Sequence, residues 1–112
     1  MTKIECILRP DRILEIRKVL GTLGIKGMTV TEVIGCGLQK GHTRDEWNTE
    51  LNINLLPKTK IEMVVSDAMV DEVIGAIIEV SRTGEIGDGK IFTYPIGNAV
   101  RIRTGETGEG AI

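Results

Sequence analysis

Apolar and polar side chains alternate over residues 3–9, with Ile4, Cys6 and Leu8 on one side and Lys3, Glu5 and Arg9 mostly on the other. A period of two marks a half-buried strand, and Pro10 breaks it. After Asp11 the period lengthens. Ile13, Ile16, Leu20 and Leu23 recur at helical spacing, Glu15, Arg17 and Lys18 fall on the outer side, and Gly24 supplies a stop. Over 28–34 the density of β-branched residues (Thr29, Val30, Thr31, Val33) predicts a second strand running into Gly35-Cys36-Gly37. Residues 38–57 lose all apolar periodicity and predict a long loop. Loops beyond about 12–15 residues are uncommon in compact domains and usually functional or disordered, so this one is the first candidate for a partner surface. Alternation returns over 58–65, where Ile61, Met63 and Val65 oppose Lys60, Glu62 and Val64. Ser66 or Asp67 then offers an N-cap to a second helix. Val70, Val73, Ile74, Ile77 and Ile78 form its apolar stripe, and Gly84 ends it. Segments 90–96 and 99–103 read as short strands separated by Gly97-Asn98, and 104–112 as a polar, mobile tail.

This order, β-α-β, long loop, β-α-β, predicts one α+β domain over residues 1–112. The expected architecture is ferredoxin-like βαββαβ, an antiparallel four-stranded sheet with two helices on one face. The opposite sheet face then lies open. A chain of 112 residues buries only roughly 65% of its unfolded surface, so packing that face against further copies would help stability.

Charge and composition narrow the function. Fourteen basic against sixteen acidic residues give a net charge of −2, which argues against a general polyanion binder. Trp47, Phe92 and Tyr94 are the only aromatic residues, too few for a base-stacking platform, and nucleic acid is not expected as a partner. No run of 18 apolar residues exists, and a charged amino-terminal stretch does not read as a signal peptide, so neither membrane insertion nor export is expected. Cys6 and Cys36 lack metal-ligand spacing and His42 is the only histidine. Reduced thiols in a cytoplasmic protein fit this pattern, with Cys6 packing in the core and Cys36 a small buried spacer.

Glycine is over-represented, fourteen residues against an average near 7%. Three of them fall in Gly84-Glu85-Ile86-Gly87-Asp88-Gly89, immediately before Lys90 at a strand start. Such a stretch lets backbone amides approach an anion while the ammonium offsets its charge. It is not a Walker A loop, because Ile91 follows the lysine where Ser or Thr is required. A helix C-cap followed by a glycine turn explains the same residues about equally well. Arg101 and Arg103, in a strand, point to one face and can clamp phosphate oxygens, or else form a solvated edge. Gln39, Lys40 and Lys58 bracket the long loop and can bind an anion at its base. No serine or cysteine is arranged around His42 for catalysis, and no general base is evident near the glycine loop, so an enzyme, such as a nucleotide hydrolase on this fold, is the weaker reading. Trp47 is a candidate interface anchor in a polar loop.

Five colinear blocks together resemble the PII signal-transduction family, the nitrogen and carbon status regulators, over the full length. They are Gly27-Met28-Thr29-Val30-Thr31-Glu32-Val33, Gly37-Leu38-Gln39-Lys40-Gly41-His42-Thr43, Leu56-Pro57-Lys58-Thr59-Lys60-Ile61-Glu62, Thr83-Gly84-Glu85-Ile86-Gly87-Asp88-Gly89-Lys90-Ile91-Phe92 and Val100-Arg101-Ile102-Arg103-Thr104-Gly105-Glu106. The resemblance implies a non-enzymatic homotrimer that binds ATP or ADP in clefts between subunits. Gly87, Asp88, Gly89 and Lys90 would hold phosphates from one subunit, Arg101 and Arg103 would reach them from the next, and Thr29, Gly37, Glu62 and Val64 would contact the adenine and ribose. It further implies that 2-oxoglutarate binds beside Mg-ATP near Gln39, Lys40, Gly41, Lys58, Ile86 and Gly87, with Gln39 ligating Mg2+ and Lys58 pairing with a carboxylate. The alternative is an adenine-nucleotide sensor without a 2-oxoglutarate response, regulating a different transporter or enzyme. Residues 38–56 would be the family's T-loop, which carries ligand state to a target such as an ammonium transporter, glutamine synthetase or a nitrogen regulator. Within it Leu51 replaces the modified tyrosine, Trp47 replaces the channel-plugging arginine, and Thr49 stands where some members carry a modifiable serine. The expected sensing is retained and the expected output surface altered.

Overall fold

The computed structural model describes residues 1–36 and 55–112. Strand β1 (Thr2–Leu8) is followed by a 3-10 turn (Pro10–Arg12), helix α1 (Ile13–Thr22), strands β2 (Thr29–Cys36) and β3 (Leu55–Val65), a second 3-10 turn (Asp67–Met69), helix α2 (Val70–Ser81) and strand β4 (Gly89–Pro95). The sheet order is β2-β3-β1-β4 with every pairing antiparallel. This is the expected ferredoxin-like arrangement.

One buried cluster joins sheet and helices: Ile4, Cys6 and Leu8 of β1, Ile61, Met63 and Val65 of β3, Ile16 and Leu20 of α1, and Val73 and Ile77 of α2. Every residue of this set follows from the strand and helix periods. Burial pushes the Cys6 thiol up to about 12, which leaves it protonated and inert at neutral pH. Cys36, expected as a buried spacer, is instead exposed, because it ends β2 beyond the cover of the helices. The opposite sheet face mixes charged side chains with the apolar Ile7, Val33, Val64 and Phe92. Lys3 and Lys60 place their ammonium groups 2.9 and 3.3 Å from the Glu62 carboxylate, and the Tyr94 hydroxyl donates to Glu5 at 2.8 Å. Among the described residues no helix is long and apolar enough to cross a membrane.

Several local expectations change. Helix α1 ends as predicted: Gly24 has φ +82° and the Ile25 amide reaches back to the Leu20 carbonyl at 3.1 Å, a Schellman closure. Helix α2, however, has no side-chain N-cap. The Asp67 carboxylate is drawn away to the Thr2 hydroxyl at 2.6 Å and the Met1 ammonium at 3.2 Å. Nor does Gly84 end α2. The helix stops at Ser81, Arg82 is already extended, and the Gly84 amide bonds a side chain further along. Strand β3 begins at Leu55, inside the predicted loop. Pro57 is tolerated there because β1 ends at Leu8 opposite Thr59, so only the β2 side of β3 needs a ladder.

Residues 99–103 do not form a strand. A single bridge joins Val100 to Thr107, and the Arg101 amide bonds the Glu106 carbonyl at 2.9 Å while Gly105, at φ +74°, returns its amide to the Arg101 carbonyl at 2.7 Å. Arg101 and Arg103 therefore lie on a turn and lose the shared strand face the spacing predicts. Residues 104–112, expected as a mobile tail, carry local structure: this turn and a 3-10 turn over Gly108–Ala111.

Candidate functional site

The glycine-rich segment is a folded turn between α2 and β4. Gly84, Gly87 and Gly89 take φ values of +87°, +101° and +115°, which side chains rarely adopt. Gly89 is constrained further, since a Cβ there would meet the Ile7 carbonyl oxygen at 2.0 Å. The Asp88 carboxylate closes the turn by accepting from the Thr83 amide at 2.7 Å, the Gly84 amide at 2.9 Å and the Thr83 hydroxyl. The Thr83 hydroxyl and amide, then the Gly84 amide and Arg9, hold the Asp88 carboxyl down at about 2.

Two cations fasten this turn to the body of the domain. Arg9, just beyond β1, donates from Nη2 to the Ile86 carbonyl at 3.0 Å and places Nε 3.5 Å from Asp88 Oδ1. Lys58, on β3, donates from Nζ to the Gly87 carbonyl at 3.0 Å. Its stem runs over Gly35 of β2, where a Cβ would sit 3.1 Å from Lys58 Cγ. The structure thus brings together Lys58, Ile86, Gly87 and Asp88, with Gly89 and Lys90 opening β4 beside them. Arg9 and Thr83 were missed as site residues. Arg9 reads only as an outward position of a strand, whereas the five-residue spacing of Thr83 and Asp88 in a glycine stretch is a usable signal for a side-chain-closed loop.

Of the other candidates, Thr29 and Glu62 lie level with Glu5 in the middle of β1, and Val64 lies nearer the far end, level with Lys3. Thr29 is directly opposite Glu62 across β2 and β3, and Lys3 and then Lys60 hold the Glu62 carboxyl below its ordinary range. Val64 lines a cleft of about 540 Å³ together with Gly27, Met69 and Arg101. Arg101 reaches this cleft while its guanidinium pairs with Glu106 at 3.1 Å, and Arg103 is exposed on the same turn. Gly89 is level with Leu8, whereas Val65 and Pro95 are level with Thr2. Six residues of β1 separate these levels, roughly 20 Å at the strand rise. Within one chain the glycine turn and Arg101 therefore belong to opposite ends of the sheet. Gly37, Gln39, Lys40, Gly41, Trp47, Thr49 and Leu51 lie outside the described residues. Among the described residues no group of three or more His, Cys, Asp or Glu side chains could hold a metal ion.

The family model for nitrogen regulatory protein P-II matches residues 1–106. The chain belongs to the nitrogen regulatory P-II family. The resemblance carried by the five motif blocks is borne out. A P-II relative from Haemophilus influenzae is 52% identical over 112 residues, covering 100% of both chains. The P-II 1 protein of Escherichia coli K12 is 48% identical over the same full lengths. Among solved structures, B. subtilis GlnK superposes with a TM-score of 0.82 at 40% identity, covering 99% of this chain and 97% of that one. A B. subtilis GlnK-ATP complex gives 0.83 at 40% identity, covering 99% and 94%. The P-II fold thus extends over both ends of the sheet described above.

Proposed function

We propose that this P-II chain is a non-enzymatic cytoplasmic signalling protein that senses ATP, ADP and 2-oxoglutarate and regulates a target protein through residues 38–56. The observation that carries the reading is the division of anion-binding groups between two ends of one sheet. The turn at Gly87, Asp88, Gly89 and Lys90, beside Lys58, is suited to phosphates. Arg101, which shares a cleft with Val64, is suited to complete a site from the other side, with Glu62 and Thr29 between the two levels on the sheet. Two half-sites roughly 20 Å apart are joined most simply by neighbouring copies, which supports a homotrimer with a nucleotide in each cleft. Likeness to a GlnK-ATP complex supports the choice of nucleotide. In this reading 2-oxoglutarate sits beside Mg-ATP near Ile86 and Gly87, and Lys58 offsets its carboxylate. Gln39, Lys40 and Gly41 complete that site, with Gln39 and the ligand oxygens holding Mg2+, a cation that commonly takes few protein ligands. Trp47, Thr49 and Leu51 shape the surface offered to a target such as an ammonium transporter, glutamine synthetase or a nitrogen regulator.

Isothermal titration with the full chain tests the proposal. ATP binding should weaken at least tenfold in both Lys90→Ala and Arg101→Ala, and co-assembled mixtures of the two variants should regain part of it, since some clefts then combine two intact halves. 2-Oxoglutarate binding in Mg-ATP should disappear in Lys58→Ala. Wild-type protein that binds ATP without 2-oxoglutarate would establish the narrower nucleotide-sensor alternative, and steady phosphate release would indicate a hydrolase.

A further inference from the structure

The glycine turn contains a carboxylate in a place where an incoming phosphate should be repelled. Asp88 lies between Gly87 and Gly89, yet its oxygens are turned to donors of the turn itself. Oδ2 accepts from the amides of Thr83 and Gly84 at 2.7 and 2.9 Å, and Oδ1 accepts from the Thr83 hydroxyl with Arg9 Nε 3.5 Å away. The Thr83 hydroxyl also accepts from the Glu85 amide at 3.1 Å, and Arg9 Nη2 donates to the Ile86 carbonyl at 3.0 Å. The first and last residues of the segment are therefore tied together, and its middle is tied to the end of β1.

We propose that Thr83, Asp88 and Arg9 form a clasp that holds the glycine turn in its phosphate-receiving shape before any ligand arrives, with Asp88 a positioning residue whose side chain does not touch the nucleotide. The inference rests on the nucleotide reading above and assigns a cause to the shape of that site. A segment with three glycines at positive φ is costly to order, because glycine loses more backbone freedom than other residues. Ordering it in advance removes that cost from the binding step. The clasp also neutralises the Asp88 charge locally, through two amides, a hydroxyl and a guanidinium, so the carboxylate does not oppose a triphosphate a few ångströms away. The depressed pKa of Asp88 agrees with this engagement.

Competition against a fluorescent ATP analogue, with ATP and adenosine as ligands, tests the clasp in the full chain, alongside amide hydrogen exchange over 83–89 in the unliganded protein. Thr83→Val and Asp88→Asn should each lose about tenfold or more in ATP affinity, the scale of a hydrogen bond to a charged group, while adenosine stays within about twofold. Thr83→Ser, which keeps the hydroxyl, should stay within about twofold for both ligands. Exchange over 83–89 should quicken in Thr83→Val. The proposal is overturned if Thr83→Val binds ATP as the wild type does, or if Asp88→Asn binds ATP more tightly, as an uncompensated carboxylate would require. It is also overturned if Asp88→Asn alters only the Mg2+ dependence, the mark of a direct contact. Wild-type protein without ATP affinity overturns the nucleotide reading and the ligand assigned to the clasp. Unchanged exchange in Thr83→Val overturns the clasp even where ATP binds.

Discussion

The turn at 83–88 and the turn at 101–106 each pair an arginine with a carboxylate, but they are anchored differently. The first is fastened to two strands, through Arg9 to the Ile86 carbonyl and through Lys58 to the Gly87 carbonyl. The second closes on itself: Arg101 bonds Glu106 through both backbone and side chain, and Ile102 at its tip is 98% exposed. A turn bonded to the sheet has its shape set by the fold. A turn bonded only to its own residues leaves its apolar tip open, with its cation held by its own carboxylate. The contrast separates a turn whose shape the sheet fixes from one whose shape its own residues fix.

Glycine substitutions give the largest effect that separates the two. Gly89→Ala forces a Cβ against the Ile7 carbonyl at an unfavourable φ and should cost about 3 kcal/mol or more in denaturant unfolding. Gly105→Ala meets open space and carries only the strain of its φ, so about 1 kcal/mol is expected. Equal losses would erase the distinction. Acid should act next, and on the first turn. The folded Asp88 carboxyl titrates near 2, below the ordinary value of about 3.9. Its stabilising contribution is therefore complete above about pH 4 and is withdrawn as pH falls towards 2. The melting temperature of Asp88→Asn should fall less steeply than that of the wild type across this window. The smallest effect belongs to Glu106→Gln, which removes a largely exposed ion pair and should change stability by about 0–1 kcal/mol. A larger loss would show that the second turn is anchored more firmly than its hydrogen bonds indicate.

The layered core was legible because burial imposes a period: Ile4, Cys6 and Leu8 repeat at two, and Val73 and Ile77 at helical spacing. The turn before β4 was legible from Gly84, Gly87 and Gly89. Competition among side chains was not. Asp67 looks like an N-cap until Thr2 and the Met1 ammonium, distant in sequence, claim its carboxylate. Gly84 looks like a helix stop until Asp88 claims its amide. Residues 99–103 have strand composition, but strand composition cannot supply a partner strand, and Glu106 turns the chain back first. Arg9 was invisible for the same reason, since its partners at 86 and 88 are close only after β1 and β4 pair.

Both helices bear on how much change this molecule can absorb. Gly21 lies in α1 and Gly75 in α2, each exposed and each with nothing within 4 Å of an added Cβ. Alanine at either position should raise stability by roughly 0.5–1 kcal/mol through helix propensity alone. The scaffold therefore holds unspent stability on its outer helices, a margin on which costly variants in the glycine turn could be accumulated by an engineer without unfolding the chain.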